Sequence, residues 1–126
     1  MLASKNRLLG AAFGALLAGS AIAAAAAANA APSYDGVWSV SIVTEKGDCD
    51  RGYRYPIRIA NGVLANGGND PFTISGKVAP SGAITVTVSS GSKSATGSGH
   101  LAGNSGEGLW HGGACSGTWT AERRSS

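Results

Sequence analysis

Beyond residue 35, apolar and polar residues alternate along the chain, and no stretch spaces its apolar positions at the helical period. From Gly36 to Thr44 the alternation sets Trp38, Val40 and Ile42 on one face and Ser39 and Ser41 on the other, the signature of a half-buried strand. A matching segment, Gly117-Thr118-Trp119-Thr120-Ala121-Glu122, lies near the other end of the chain. Each places a Trp two residues after a Gly. Between them Tyr53 to Ala60 alternates, with Tyr53, Tyr55, Ile57 and Ile59 on one face and Arg54, Pro56 and Arg58 on the other. Asn61-Gly62 then reads as a type I′ turn that sets Ile59 opposite Leu64. Asn66 to Pro71 is a loop by every breaker signal.

The hairpin from Phe72–Ala79 to Ala83–Ser90, joined by Pro80-Ser81-Gly82, pairs Val78 with Ile84, Gly76 with Val86 and Ile74 with Val88. A turn at Gly91-Ser92 sets Val88 against Ala95, Val86 against Gly97 and Ile84 against Gly99, so large residues meet small ones across the pair, as a tightly curved sheet requires. A further turn is expected near Asn104-Ser105-Gly106. A last one around Gly113 to Ser116 would face Trp110 to Trp119.

The sum is an all-β chain of about eight strands in an antiparallel up-and-down meander. With an even number the first and last strands run antiparallel, so they can pair, close a barrel and leave no exposed edge. An open two-sheet sandwich is the alternative. Pro56 is its best argument, because it offers no N–H to a ladder and belongs at an edge, a bulge or a gap in pairing.

The cysteine count sharpens the barrel reading. Cys49 lies just past the first strand and Cys115 just before the last, so antiparallel pairing of the two strands brings the two cysteines of the chain together. The bridge closes a loop of about 65 residues and is worth about 4 kcal/mol in the loop-entropy description.

The first thirty residues have the composition of an export signal. Lys5 and Arg7 form a positive start, Leu8 to Ala28 is apolar and Ala-rich, and Ala28-Asn29-Ala30 is a small-x-small cleavage site. Residues 1–30 are thus expected to be removed, leaving residues 31–126 as a single β-barrel domain in an oxidising compartment, periplasmic or secreted, reached by the general secretory pathway. A membrane anchor is the competing reading of the apolar run. Interrupting Gly and Ser, the weak hydrophobicity of Ala and the well-placed cleavage site argue against it. The formal net charge of +3 falls to about +1 once Lys5 and Arg7 are gone, so charge gives no reason to expect nucleic acid or an anionic membrane as partner.

Candidate chemistry is sparse. Trp38, Tyr55, Trp110 and Trp119 could contact a small apolar ligand inside the barrel, but most inward positions after Ser92 are Ala and Gly, so the aromatics are expected to be consumed in filling the interior. His100 and His111 would face each other on the outside if the turn between them centred on Ser105-Gly106, with Cβ atoms about 5 Å apart. That spacing suits a shared transition metal or a haem contact. A register shifted by four pairs His100 with Glu107 instead.

Glu45, Asp48 and Asp50 crowd around Cys49 as candidate calcium ligands, and Arg54 and Arg58 share a strand face that could meet a carboxylate, a phosphate or lipopolysaccharide. Neither His has a triad partner at a diagnostic position, and no nucleophile elbow is present. The expectation is a non-catalytic binding module with no cofactor, taking a small apolar ligand or a protein partner. A structural or adhesive envelope protein is the alternative, and a haem- or metal-binding protein stands behind both.

Gly36-Val37-Trp38 on the first strand, the meander and the Arg123-Arg124 ending resemble the calycin group of barrels. That resemblance implies that the Gly-x-Trp strand closes one end and that an Arg from the end of the barrel region packs on the Trp. The chain is similar also to the small periplasmic metalloprotease inhibitors, exported barrels with one disulfide, although its cysteines lie farther apart. Through Val43-Thr44-Glu45-Lys46-Gly47-Asp48-Cys49 and Cys115-Ser116-Gly117-Thr118-Trp119 it resembles a set of small exported β-rich proteins of alphaproteobacteria, some of which carry a haem-utilisation or adhesion label.

Overall fold

A computed structural model describes residues Ser33–Ser126. The expected export signal, residues 1–30, lies outside the described residues. The strands are β1 (Gly36–Lys46), β2 (Gly52–Ala60), β3 (Val63–Asn66), β4 (Thr73–Val78), β5 (Ala83–Ser90), β6 (Lys93–Ala102), β7 (Ser105–Gly112) and β8 (Cys115–Ser125). Each pairs antiparallel with the next, and β8 returns to β1, so the sheet is a closed barrel rather than a sandwich. Closure runs from Val37 to Lys46 on β1 against Ser125 to Ser116 on β8. Among the described residues no helix is long and apolar enough to cross a membrane.

Local chemistry fixes most of the register. Asn61 and Gly62 both have positive φ, 53° and 76°, as a type I′ turn demands, and Ile59 sits opposite Leu64. The Asp35 carboxylate accepts hydrogen bonds from the amides of both turn residues, at 2.8 and 3.1 Å. The β4–β5 and β5–β6 ladders follow the pairs that the alternation demands, including Gly76 opposite Val86 and Ile84 opposite Gly99.

Two later turns differ from the sequence expectation. The β6–β7 turn sits on Gly103-Asn104, with Gly103 at φ 62°, so His100 faces Glu107 and His111 faces Thr96. The last turn sits on Gly113-Ala114, which pairs Trp110 with Gly117 and Trp119 with Gly108 rather than Trp110 with Trp119. The reason is steric. The Trp119 indole lies across the glycines of the two preceding strands: a Cβ on Gly99 would come within 2.6 Å of its Cζ2, and one on Gly108 within 2.7 Å of its Cε2. Two facing indoles would have no such floor.

Pro56 sits in β2 opposite Ser39 of β1, and its other side lies beyond the short β3, whose pairing with β2 covers only Ile57 to Ala60. It occupies a gap in pairing, where its carbonyl accepts from the Gly67 amide at 3.1 Å.

The inward faces form one core. Trp38, Ile59, Leu64, Ile84 and Leu101 are buried at the end of the barrel that carries the Asn61-Gly62, Pro80 to Gly82 and Gly103-Asn104 turns. Arg123 caps that end, its guanidinium 5.0 Å from the centre of the Trp38 ring and donating to the carbonyls of Asp35, Ser33 and Gly103. The outer face carries mostly Ser, Thr, Lys and Arg, with Val43, Val63 and Leu109 exposed among them. The Cys49–Cys115 bridge ties the opposite end.

Candidate functional site

Between the capped end and the disulfide end the interior is not filled. The aromatics do not consume the space, contrary to the sequence expectation, and a cavity of about 200 Å³ remains. The cause is the asymmetry between the two halves of the meander. On β1, β2 and β5 the inward residues are Trp38 and a run of Val, Ile and Tyr; on β6 and β7, apart from Leu101 and Trp110, they are Ala95, Gly97, Gly99, Gly106 and Gly108. Trp119 covers Gly99 and Gly108 with its ring, whereas, of side chains, Gly97 is met only by Val86 and the nitrogen edge of that indole, and the cavity is lined there by Gly97 and Ala95.

Trp38, Tyr55, Trp110 and Trp119, the aromatic residues marked out in the sequence, all line this one space. Trp38 forms its floor and is fully buried. Trp110 stands half-buried toward the disulfide end, with Phe72, Val88 and Ala95, and these four residues also border a surface depression beside the disulfide that reaches Lys93 and Asp48. They frame the mouth. Val88 and Ala95 carry no polar or aromatic signal that singles them out in the sequence; their role comes from facing each other across β5 and β6 at that level.

The wall on the β2 side is an aromatic cluster. Tyr55 and Phe72 meet edge to face at 5.3 Å between ring centres, and Tyr53 joins them at 5.9 and 6.1 Å. The cluster occupies the space between β2 and β4 where β3 is too short to bridge them. Its loop is held by the Asn66 side chain, which donates to the carbonyls of Asp70 and Phe72, and by the Tyr53 hydroxyl, which donates to Asp70 Oδ1 at 2.9 Å.

The cavity surface is apolar because its polar groups are mostly spent elsewhere. Trp38 Nε1 donates to the Tyr34 carbonyl at 2.8 Å and Trp110 Nε1 to the Val43 carbonyl at 3.1 Å. Burial pushes the Tyr55 hydroxyl up to about 12, with the neighbouring Tyr53 adding to the shift, so it stays neutral at any ordinary pH. Among the described residues Trp119 Nε1 alone is a buried side-chain polar atom without a partner.

The outer-face candidates do not assemble. His100 and His111 are four ladder positions apart along β6, about 13 Å, and His111 Nε2 lies 3.1 Å from Thr96 Oγ1. The two-histidine metal or haem site is therefore not formed. Glu45, Asp48 and Asp50 are exposed, and among the described residues no three His, Cys, Asp or Glu side chains come together to hold a metal. Arg54 and Arg58 are exposed on the outside of β2. No protein family, curated protein or solved structure matches this chain.

Proposed function

We propose that this is an exported, non-catalytic binding module whose ligand is a small apolar molecule held inside the barrel. The observation that carries this reading is the apolar cavity of about 200 Å³ with a mouth beside the disulfide. A cavity of about 150 Å³ walled by aliphatic and aromatic side chains already takes up benzene, so this one has room for a single ring with a short substituent. Larger ligands would extend past Trp110 and Phe72 into the surface depression. The absence of catalysis is supported by the cavity wall, where the titratable groups are Tyr53 and Tyr55, both shifted away from the neutral range that acid–base chemistry uses.

A structural or adhesive role is the rival reading, and the Ser- and Thr-rich outer face favours it. It needs no cavity, and it leaves the mouth unexplained.

Titration of the purified protein with benzene, toluene and indane, followed by tryptophan fluorescence, tests the proposal. Saturable quenching that weakens in Trp110→Ala is expected; no response to any of the three would overturn the small-ligand reading. Export is checked separately. Protein recovered from the envelope or medium should begin at or near Ala31, and a membrane-bound product retaining residues 1–30 would refute it.

A further inference from the structure

We infer that the ligand is an anionic amphiphile, an arylalkanoic acid in the simplest case, whose ring fills the cavity and whose carboxylate is held at the mouth by Lys93 and Ser90. This rests on the reading of the cavity as a ligand site and adds the chemistry of its entrance. The β5–β6 ladder runs without irregularity through Val88 opposite Ala95, Ser89 opposite Ser94 and Ser90 opposite Lys93. Side chains alternate along a strand, so Ser90 and Lys93 stand on the face that carries Val88 and Ala95, one step farther toward the disulfide end. Val88 and Ala95 frame the mouth, and both Ser90 and Lys93 line the depression onto which it opens. Their Cβ atoms, directly opposite in the ladder, are about 5 Å apart, a spacing that one carboxylate bridges between an ammonium and a hydroxyl. Two residues of strand rise about 7 Å, so roughly two or three methylene groups carry a carboxylate from a ring seated inside to the level of Lys93.

The sign of the charge follows from which cations face inward. The register puts Arg123, opposite Trp38, and Lys93 on the inward side at opposite ends of the barrel, while Arg54, Arg58, Lys77 and Glu107 face out. Arg123 is fully engaged, on the Trp38 ring, on the carbonyls of Asp35, Ser33 and Gly103 and on Asn104 Oδ1. Lys93 is exposed and makes no salt bridge among the described residues. Its alkyl stem adds apolar cover to a ring below it and its ammonium stays in water. Asp48, beside Cys49, lines the same depression and opposes an anion there, but it comes from the loop after β1 and not from the pair of strands that frames the mouth. An exposed ion pair adds a few-fold in affinity, so the buried ring supplies most of the binding and Lys93 the choice of head group.

The probes 4-phenylbutyrate, 4-phenylbutanol and 4-phenylbutylamine share a ring and a linker and are anionic, neutral and cationic at pH 7. Affinities are measured by calorimetry on the purified protein at low ionic strength, with toluene as a probe of the cavity alone. The acid is expected to bind about fivefold more tightly than the alcohol, the amine more weakly than either, and the advantage of the acid to shrink at high salt. Lys93→Gln, on an exposed hairpin position that the fold does not depend on, should equalise acid and alcohol and leave toluene binding unchanged. Asp48→Asn should widen the advantage of the acid. Toluene binding with no preference for the acid, with a preference for the amine, or with an acid preference that survives in Lys93→Gln would overturn the anionic ligand and leave the apolar site standing. Binding of none of the four probes would overturn both.

Discussion

Trp119 and the glycines beneath it show how single residues set this interior. A Cβ on Gly99 would meet both the Glu107 carbonyl and the Trp119 ring, so neither the backbone ladder nor the indole can yield cheaply. Gly99→Ala is therefore expected to cost about 1–3 kcal/mol by overpacking, read as a lower denaturant midpoint at unchanged slope. Tyr55 makes a second residue-scale prediction. Burial, and then Tyr53, raise its hydroxyl from the ordinary 10.0 to about 12. Between those values the unfolded chain has lost a proton that the folded chain retains, so stability is full below pH 10 and falls as pH rises toward 12. The loss is about 2 kcal/mol, and Tyr55→Phe should flatten that part of the profile of denaturant midpoint against pH. The aromatic lining was legible in the sequence because strand alternation alone says which faces Trp38, Tyr55, Trp110 and Trp119 share. The cavity was not. It depends on whether Ala95 and Gly97 are covered from across the barrel, and alternation carries no information about reach across an interior.

At the level of the strands, the sequence determines register where one turn signal stands alone. Asn61-Gly62 and Pro80-Ser81-Gly82 each offer one way to turn, and the pairs they imply are those observed. Between β6 and β7 the chain reads Gly103-Asn104-Ser105-Gly106, which offers several turns, and between β7 and β8 it reads Gly112-Gly113-Ala114-Cys115-Ser116. Hairpin pairings differing by two or four in the sum of partner numbers keep every residue on its own face, so the apolar pattern cannot choose among them. Packing of one indole on two glycines chooses, and that contact is visible only in three dimensions. The histidine pair was an element-scale inference and failed for this reason. The disulfide belongs to the same scale and needed only the meeting of β1 and β8. Its cysteines are 66 positions apart, so replacing both by Ser should lower stability by about 4 kcal/mol. The native, non-reduced protein should weigh two hydrogens less than its reduced form by mass spectrometry.

For the molecule as a whole, closure distributes stability unevenly around the barrel. β1 and β8 share a long ladder from Val37 to Lys46 and are tied by the disulfide, and β6 and β7 pair continuously from Thr96 to Ala102. β3 is a weak seam. It pairs with β2 over Ile57 to Ala60 and with β4 through Val63 and Lys77, helped by a bond from the Val78 amide to the Gly62 carbonyl. Toward the disulfide end the seam holds no ladder, and the Tyr53, Tyr55 and Phe72 rings fill it instead. Side-chain packing can keep such a gap shut, but it opens without breaking a ladder, so local opening there should cost far less than global unfolding. Native-state hydrogen exchange is expected to find amides of β1, β6, β7 and β8 exchanging only with global unfolding, and those of β3 and of Thr73 to Ser75 exchanging by local opening at much lower free energy. Because the same rings line the cavity, a bound apolar ligand that packs on them should raise protection along the seam more than along β1 and β8. Uniform protection around the barrel would show that the aromatic cluster closes the gap as firmly as a ladder does, and the division into a strong closure and a weak seam would be wrong.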